Sequence, residues 1–178
     1  MNRDQFLFEL GHRWLPRIAD VDARLRSDPP PRVADVCCAK GWFSIGLAQA
    51  YPKVRIDGFD VDEASVEMAW RNAHNNGLTD RVTFHVRDVS EPTLNGRYDL
   101  CIAHQGLHTV RNPIGVLTTM RRLTDRSGVV ILVDARVDAA RMTTDIATLR
   151  TYTLAAGFYR VALLPLENDN LDFYQLYV

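Results

Sequence analysis

The sequence predicts an α/β protein on a seven-stranded, mostly parallel sheet, with one antiparallel strand in a C-terminal hairpin. Three observations carry this. The stretch Arg32–Ala50, RVADVCCAKGWFSIGLAQA, runs from a β-branched apolar segment through a small-residue turn into a helical segment, the first half of a βαβ unit. Short apolar strands then alternate with helical patterns along the chain, which implies right-handed crossovers and a sheet covered on both faces. Finally, the segments Tyr159–Leu166 and Leu171–Val178 are joined by Glu167-Asn168-Asp169-Asn170, a hairpin signal that turns one strand antiparallel.

Each element has a local reason. Between Arg3 and Arg26 the apolar residues Phe6, Leu7, Leu10, Trp14, Ile18, Val21 and Leu25 recur at helical spacing, interrupted around Gly11 and Pro16. This predicts a helical arm, followed by the stiff linker Ser27–Pro31, so that residues 1–31 precede a main domain over 32–178. Val54–Asp60 is a second strand ending in an acid. Asp62–Gly77 is a helix with Asp62 as N-cap, acids in its first turns and Gly77 as its stop. Arg81–Asp88 and Tyr98–Gln105 are the third and fourth strands. Asn112 caps a helix over Pro113–Leu123, with proline in the first turn. Gly128–Val137 is a fifth, strongly apolar strand, and Ala139–Ala156 a helix ended by Gly157.

Composition narrows the function. At 178 residues with 47 % apolar content, one domain with a real core is expected. A net charge of −1 argues against a nucleic-acid footprint over the whole surface. No apolar run approaches membrane-spanning length, and Met1–Gln5 does not resemble a signal peptide. Cys37, Cys38 and Cys101 fall in predicted strands without metal-ligand or CxxC spacing, so reduced thiols, a cytoplasmic protein and no metal are expected.

In an open α/β sheet, ligands bind beyond the carboxyl ends of the strands. Three strand ends carry polar groups there: Asp60, Asp88, and His104 with Gln105. Asp35 stands just before the first turn, where it can anchor the backbone, and the following helix start offers free N–H groups. The order of these motifs resembles the class I S-adenosylmethionine-dependent methyltransferases over Arg32–Val178. That family's first motif, an acid followed by three alternating glycines, is matched by Asp35, Cys37, Ala39 and Gly41. Its acid at the end of strand two, which holds the ribose hydroxyls, is matched by Asp60, followed by Val61. Its acid near the adenine amine is matched by Asp88, followed by Val89. The fourth and fifth motifs are matched by YDLCIAHQGLHTVRNP and RSGVVILVD.

The resemblance implies a Rossmann-like sheet, S-adenosylmethionine as cofactor, and methyl transfer to a small-molecule acceptor. His104 and Gln105 would form the pocket floor beneath the transferable methyl, and His108 is the candidate catalytic general base. Cys37 and Ala39 depart from the glycine pattern, and glycine belongs where the backbone has positive φ or meets a ligand closely. Either their side chains crowd the cofactor, or both positions have ordinary φ and point into the sheet. The departure also supports a second reading, a non-catalytic binding or partner subunit. A nicotinamide dinucleotide fits poorly, because the G-x-G-x-x-G register falls on Cys37, Ala39 and Trp42. Walker and nucleophile-elbow patterns are absent. With no separate lid in the sequence, the acceptor site is expected to be open, or closed by the arm or by a second subunit. A homodimer is the expectation from Phe6, Phe8 and Trp14, three aromatics on one short arm.

Overall fold

The computed structural model describes residues 2–135, 145–166 and 171–178. Its central sheet has strand order β3-β2-β1-β4-β5-β7-β6, with β1 Arg32–Val36, β2 Arg55–Asp60, β3 Val82–Val86, β4 Tyr98–His104, β5 Thr124–Ala135, β6 Arg160–Leu163 and β7 Leu171–Tyr177. β1 to β5 pair in parallel, and β7 runs antiparallel to both β5 and β6. The chain order reverses at β1, whose neighbours are β2 and β4, and this places a crevice above its carboxyl end.

Helix ends follow local chemistry. α1 spans Arg3–Glu9, α2 Ala19–Leu25, α3 Trp42–Ala50, α4 Glu63–Asn75, α5 Pro113–Leu123 and α6 Ile146–Ala155. Asp62 accepts the Ser65 N–H at the start of α4, and Asn112 accepts the Gly115 N–H at the start of α5. Gly77 and Gly157 follow α4 and α6 at φ of 66° and 89°, values glycine adopts freely. β5 begins earlier than expected, because Thr124 already pairs with Tyr98 ahead of a bulge. The stretches 136–144 and 167–170, with the expected start of the last helix and the hairpin turn, lie outside the described residues.

The arm breaks where the sequence places Gly11 and Pro16, into a wide π-type turn over Leu10–Trp14 and a 3₁₀ turn over Leu15–Arg17. Gly11 is needed for packing, since a Cβ there would stand 2.5 Å from the Ala50 Cβ. Leu10, Trp14, Leu15, Ile18, Val21 and Leu25 are buried in one core with Val33, Ile131 and Phe173. α1 itself contributes no buried residue. Of the arm's three aromatics, Trp14 packs edge-on to Phe6 and Phe173, Phe6 is half-buried, and only Phe8 stays 60 % exposed.

Toward the opposite end of the strands, Asp57 holds a closed polar network. Its carboxylate accepts from the Thr83 hydroxyl at 2.6 Å, the Arg32 guanidinium at 2.8 Å and the Tyr98 hydroxyl at 2.9 Å.

Candidate functional site

The site grows from the turn between β1 and α3. Cys37, Ala39 and Gly41 all adopt left-handed backbone, at φ of 60°, 46° and 75°. Of the two alternatives, ordinary φ at Cys37 and Ala39 is therefore excluded, and Cys37 lies in the turn, beyond the end of β1 at Val36 rather than in a strand. An L-residue in this conformation costs about 1 kcal/mol or more, so neighbouring bonds must hold it. Asp60 Oδ2 accepts the Ala39 N–H at 2.8 Å, Phe59 O accepts the Cys38 N–H at 3.0 Å, and Cys38 O accepts the Gly41 N–H at 2.9 Å. Gly41 cannot carry a side chain, since a Cβ there would sit 2.5 Å from Phe84. The bulk of Cys37 is accommodated across the crevice, where a Cβ on Gly106 would come within 2.3 Å of the Cys37 Cβ. A small residue is thus still present at this contact, on the loop after β4 rather than on the turn.

Asp35 ties the strand to the helix. It is buried, and its Oδ2 accepts the Ser44 hydroxyl at 2.6 Å. Burial pushes its carboxyl up to about 7, against the pull of the Ser44 bond and with help from the negative charge of Asp60. Burial also pushes the Cys37 thiol up to about 12, reinforced by Asp60, Asp35 and Asp88, so it is no thiolate nucleophile.

Two cavities flank Cys37, which lines both. The larger, about 600 Å³, is bounded by Asp35, the turn, Trp42, Phe43, His104 and Gln105, with Asn2, Arg3 and Phe6 of the arm along its rim. The smaller, about 440 Å³, is bounded by Asp60, Val61, Asp88, Val89 and the segment Thr109–Asn112. The His104 ring meets those of Phe6, at 4.9 Å, and Phe43, at 5.6 Å. Burial pushes this imidazole down to about 4, so it is neutral at pH 7. Asp35 Oδ1 and His104 Nε2 are buried and make no hydrogen bond among the described residues. Native structures satisfy most such atoms with a protein group, an ordered water or a ligand, and these two, unlike the similar Nε1 of Trp14 and Nε of Arg24, belong to residues that line the larger cavity.

The structure thus gathers Asp35, Cys37, Ala39, His104 and Gln105 at one cavity and Asp60, Val61, Asp88 and Val89 at the other. Gly41 lines neither but shapes the turn. His108 also lines neither: it sits on a 3₁₀ turn with Nδ1 3.2 Å from Asp134 Oδ1. Sequence reasoning did not single out Arg3, Phe43, Gly106 or Arg111. The helical spacing marks Phe6 as an inward residue but carries no sign that it would reach His104.

The arrangement fits S-adenosylmethionine. A methionyl ammonium would satisfy the unpartnered Asp35 Oδ1, and the carboxylates of Asp60 and Asp88 border a cavity suited to a nucleoside. Asp60 already accepts backbone N–H groups of Ala39 and Asp62, yet a carboxylate has lone pairs to spare for ribose hydroxyls. Among the described residues no cluster of three or more metal-ligating side chains occurs, and no helix is long and apolar enough to cross a membrane.

Known proteins resemble this chain in sequence and in fold. A family model described as a methyltransferase domain matches residues 28–158. The ribosomal protein uL3 glutamine methyltransferase of Bradyrhizobium diazoefficiens is 37 % identical over 73 residues, 41 % of this chain and 23 % of that protein. The trans-aconitate 2-methyltransferase of Streptomyces coelicolor is 32 % identical over 108 residues, 60 % of this chain and 35 % of that protein. The match therefore spans about a quarter to a third of these relatives' length. A crystal structure of a SAM-dependent methyltransferase from Aquifex aeolicus superimposes with a TM-score of 0.74 at 16 % identity, covering 100 % of both chains.

Proposed function

The chain belongs to the class I S-adenosylmethionine-dependent methyltransferases, and from that premise we propose that it methylates a small molecule received in the arm-rimmed cavity. The observation that carries this is the turn. It keeps the alternating left-handed backbone of a glycine motif at Cys37 and Ala39, against a conformational cost, and it does so between two cavities. Strain of this kind persists where a site needs the backbone shape.

In this reading Asp60 accepts from the ribose hydroxyls, with Val61 beside it. Asp88 and Val89 border the adenine. Asp35 faces the ammonium, the turn Cys37–Gly41 presents its backbone to the methionyl end, and His104 and Gln105 form the floor. The cofactor supplies an electrophilic methyl on a sulfonium. The protein's part is to hold the acceptor in line and exclude water, and such positioning is worth about 7–11 kcal/mol in favourable cases. His108 pairs with Asp134 and does not line the cavity, so in this reading it is not the base.

The relatives' own names span a protein glutamine and trans-aconitate as acceptors. A small molecule is favoured here because the arm's Asn2, Arg3 and Phe6 crowd the rim of the larger cavity. The cover is then the chain's own arm, with no second subunit required. The occupied carboxylate of Asp60 favours the rival reading, a non-catalytic member. Calorimetric titration with S-adenosylmethionine and S-adenosylhomocysteine separates the two: binding of either supports the enzyme, and binding of neither supports the rival.

A further inference from the structure

The methyltransferase reading, on which this inference rests, satisfies Asp35 Oδ1 but leaves His104 Nε2 without a partner. The surroundings of that nitrogen are specific. His104 ends β4 at the wall of the larger cavity, and Gln105 turns the chain away at a φ of 52°. The imidazole stacks on Phe43 of α3, part of the buried core. It also meets Phe6 of the arm, whose ring centroid is 4.9 Å away and tilted by 43°. The site therefore already holds one aromatic ring against the imidazole. That ring comes from α1, the arm segment with no buried residue, while the arm's anchors Leu10, Trp14 and Leu15 lie beyond it in the core. The ring against His104 thus belongs to the least buried segment of the arm, the kind of segment that opens locally.

We infer that the acceptor is a small hydroxylated aromatic compound that takes the place of Phe6 against His104 and gives its hydroxyl proton to Nε2. As the acceptor oxygen forms its bond to the methyl carbon, the carbon–sulfur bond breaks and its electron pair stays on sulfur. The O–H pair remains on oxygen, and the proton passes to Nε2. One positive charge leaves the sulfonium and one appears on the imidazole, so the charge in the cavity is conserved. Burial keeps the imidazole neutral and hence able to accept. The burial that keeps the imidazole neutral also disfavours its cation, and the step offsets this by removing the sulfonium charge as the hydroxyl oxygen, made strongly acidic by its new bond, gives up the proton. Phenols suit the apolar walls of Phe43, Trp42 and Leu171, which would stack on or enclose a ring.

The test uses the full chain and two titrations. S-adenosylhomocysteine is titrated first, then catechol into the saturated complex, for the wild type, His104→Phe, His104→Gln and Phe6→Ala, each checked by thermal melting. Catechol is expected to bind the wild-type complex and to bind Phe6→Ala several-fold more tightly. His104→Phe should weaken catechol at least tenfold, and His104→Gln, which keeps an acceptor oxygen, should recover part of the loss. S-adenosylhomocysteine affinity should shift far less in every variant. Should His104→Phe not fold, His104→Gln and Phe6→Ala still decide. No catechol binding, binding indifferent to His104, or weaker binding in Phe6→Ala overturns the inference while S-adenosylhomocysteine still binds. Failure of S-adenosylhomocysteine itself overturns the methyltransferase reading and this inference with it.

Discussion

Asp35 and Asp57 sit on adjacent strands, one register step apart and on opposite faces of the sheet. Asp57 is surrounded by donors. Burial alone would raise its carboxyl, but the bonds from Thr83, Arg32 and Tyr98 outweigh it and hold the group below the usual carboxylate range. Asp35 has one donor residue, Ser44, and an oxygen with none, and its carboxyl rises to about 7. The difference lies in what each face offers: Asp57 meets residues from the starts of β1, β3 and β4, whereas Asp35 meets the turn after β1 and the larger cavity. Toward the amino ends of the strands the polar groups complete one another, which stabilises the fold. At the carboxyl ends they stay incomplete around two cavities, which is the state expected of a site awaiting a ligand.

The sharpest way to break this contrast is to fill the space that the carboxyl end keeps open. Gly106→Ala forces a Cβ against Cys37. It should cost about 3 kcal/mol, the upper range for overpacking. Denaturant unfolding would check this, and Cys37→Gly in the same chain should return most of the loss. Additive effects in that double-mutant cycle would show that the two residues do not share the space.

Next in size is the satisfied end. Asp57→Ala strands the Tyr98 and Thr83 hydroxyls and the Arg32 guanidinium, and at about 1 kcal/mol per bond it should cost about 2–3 kcal/mol. The two acids also differ in pH dependence. A lowered folded-state value means that Asp57 stabilises above its unfolded value, near 3.8, and that this is lost as pH falls through its folded value. A raised value reverses the sign: Asp35 costs nothing below 3.8, and stability is lost progressively from there to about 7. Asp35→Asn should therefore be more stable than the wild type at pH 8 and no more stable at pH 4. Melting curves at the two pH values that show the same offset would contradict the assignment.

Asp60→Ala should weaken S-adenosylmethionine by about 1.5–3 kcal/mol. Because Asp60 also accepts from Ala39 and Asp62, it should cost stability as well, about 1 kcal/mol per bond. The smallest effect belongs to Cys37→Gly with Ala39→Gly. Each glycine relieves a left-handed L-residue but adds unfolded-state entropy of about 0.4–1 kcal/mol, so stability should change by less than about 1 kcal/mol. The cofactor-induced shift in melting temperature should grow, and an unchanged shift would show that the side chains never crowded the ligand.

What could be read from the sequence, and what could not, follows the range of the interaction. The caps Asp62 and Asn112 and the stops Gly77 and Gly157 were legible because their hydrogen bonds and φ values are local. The acids Asp60 and Asp88 were legible as strand ends facing one edge. The left-handed φ of Cys37 and Ala39 was not, because neither residue type signals it; the bond from Ala39 to Asp60 and the space left by Gly106 impose it from 21 and 69 positions away. The contact of Phe6 with His104 is tertiary in the same way. Helical spacing marks Phe6 as inward and says nothing about its partner.

If the carboxyl end of the sheet is left incomplete for a cationic cofactor, binding must move a proton, and proton-linked calorimetry reads that proton. S-adenosylmethionine would be titrated into the protein at pH 6 in two buffers of different ionisation enthalpy. Asp35 is mostly protonated there, since its carboxyl titrates near 7. An ammonium placed beside it favours the carboxylate and drives the proton off. Binding should release close to one proton in the wild type and almost none in Asp35→Asn. Binding whose heat is the same in both buffers, or no binding at all, would contradict it.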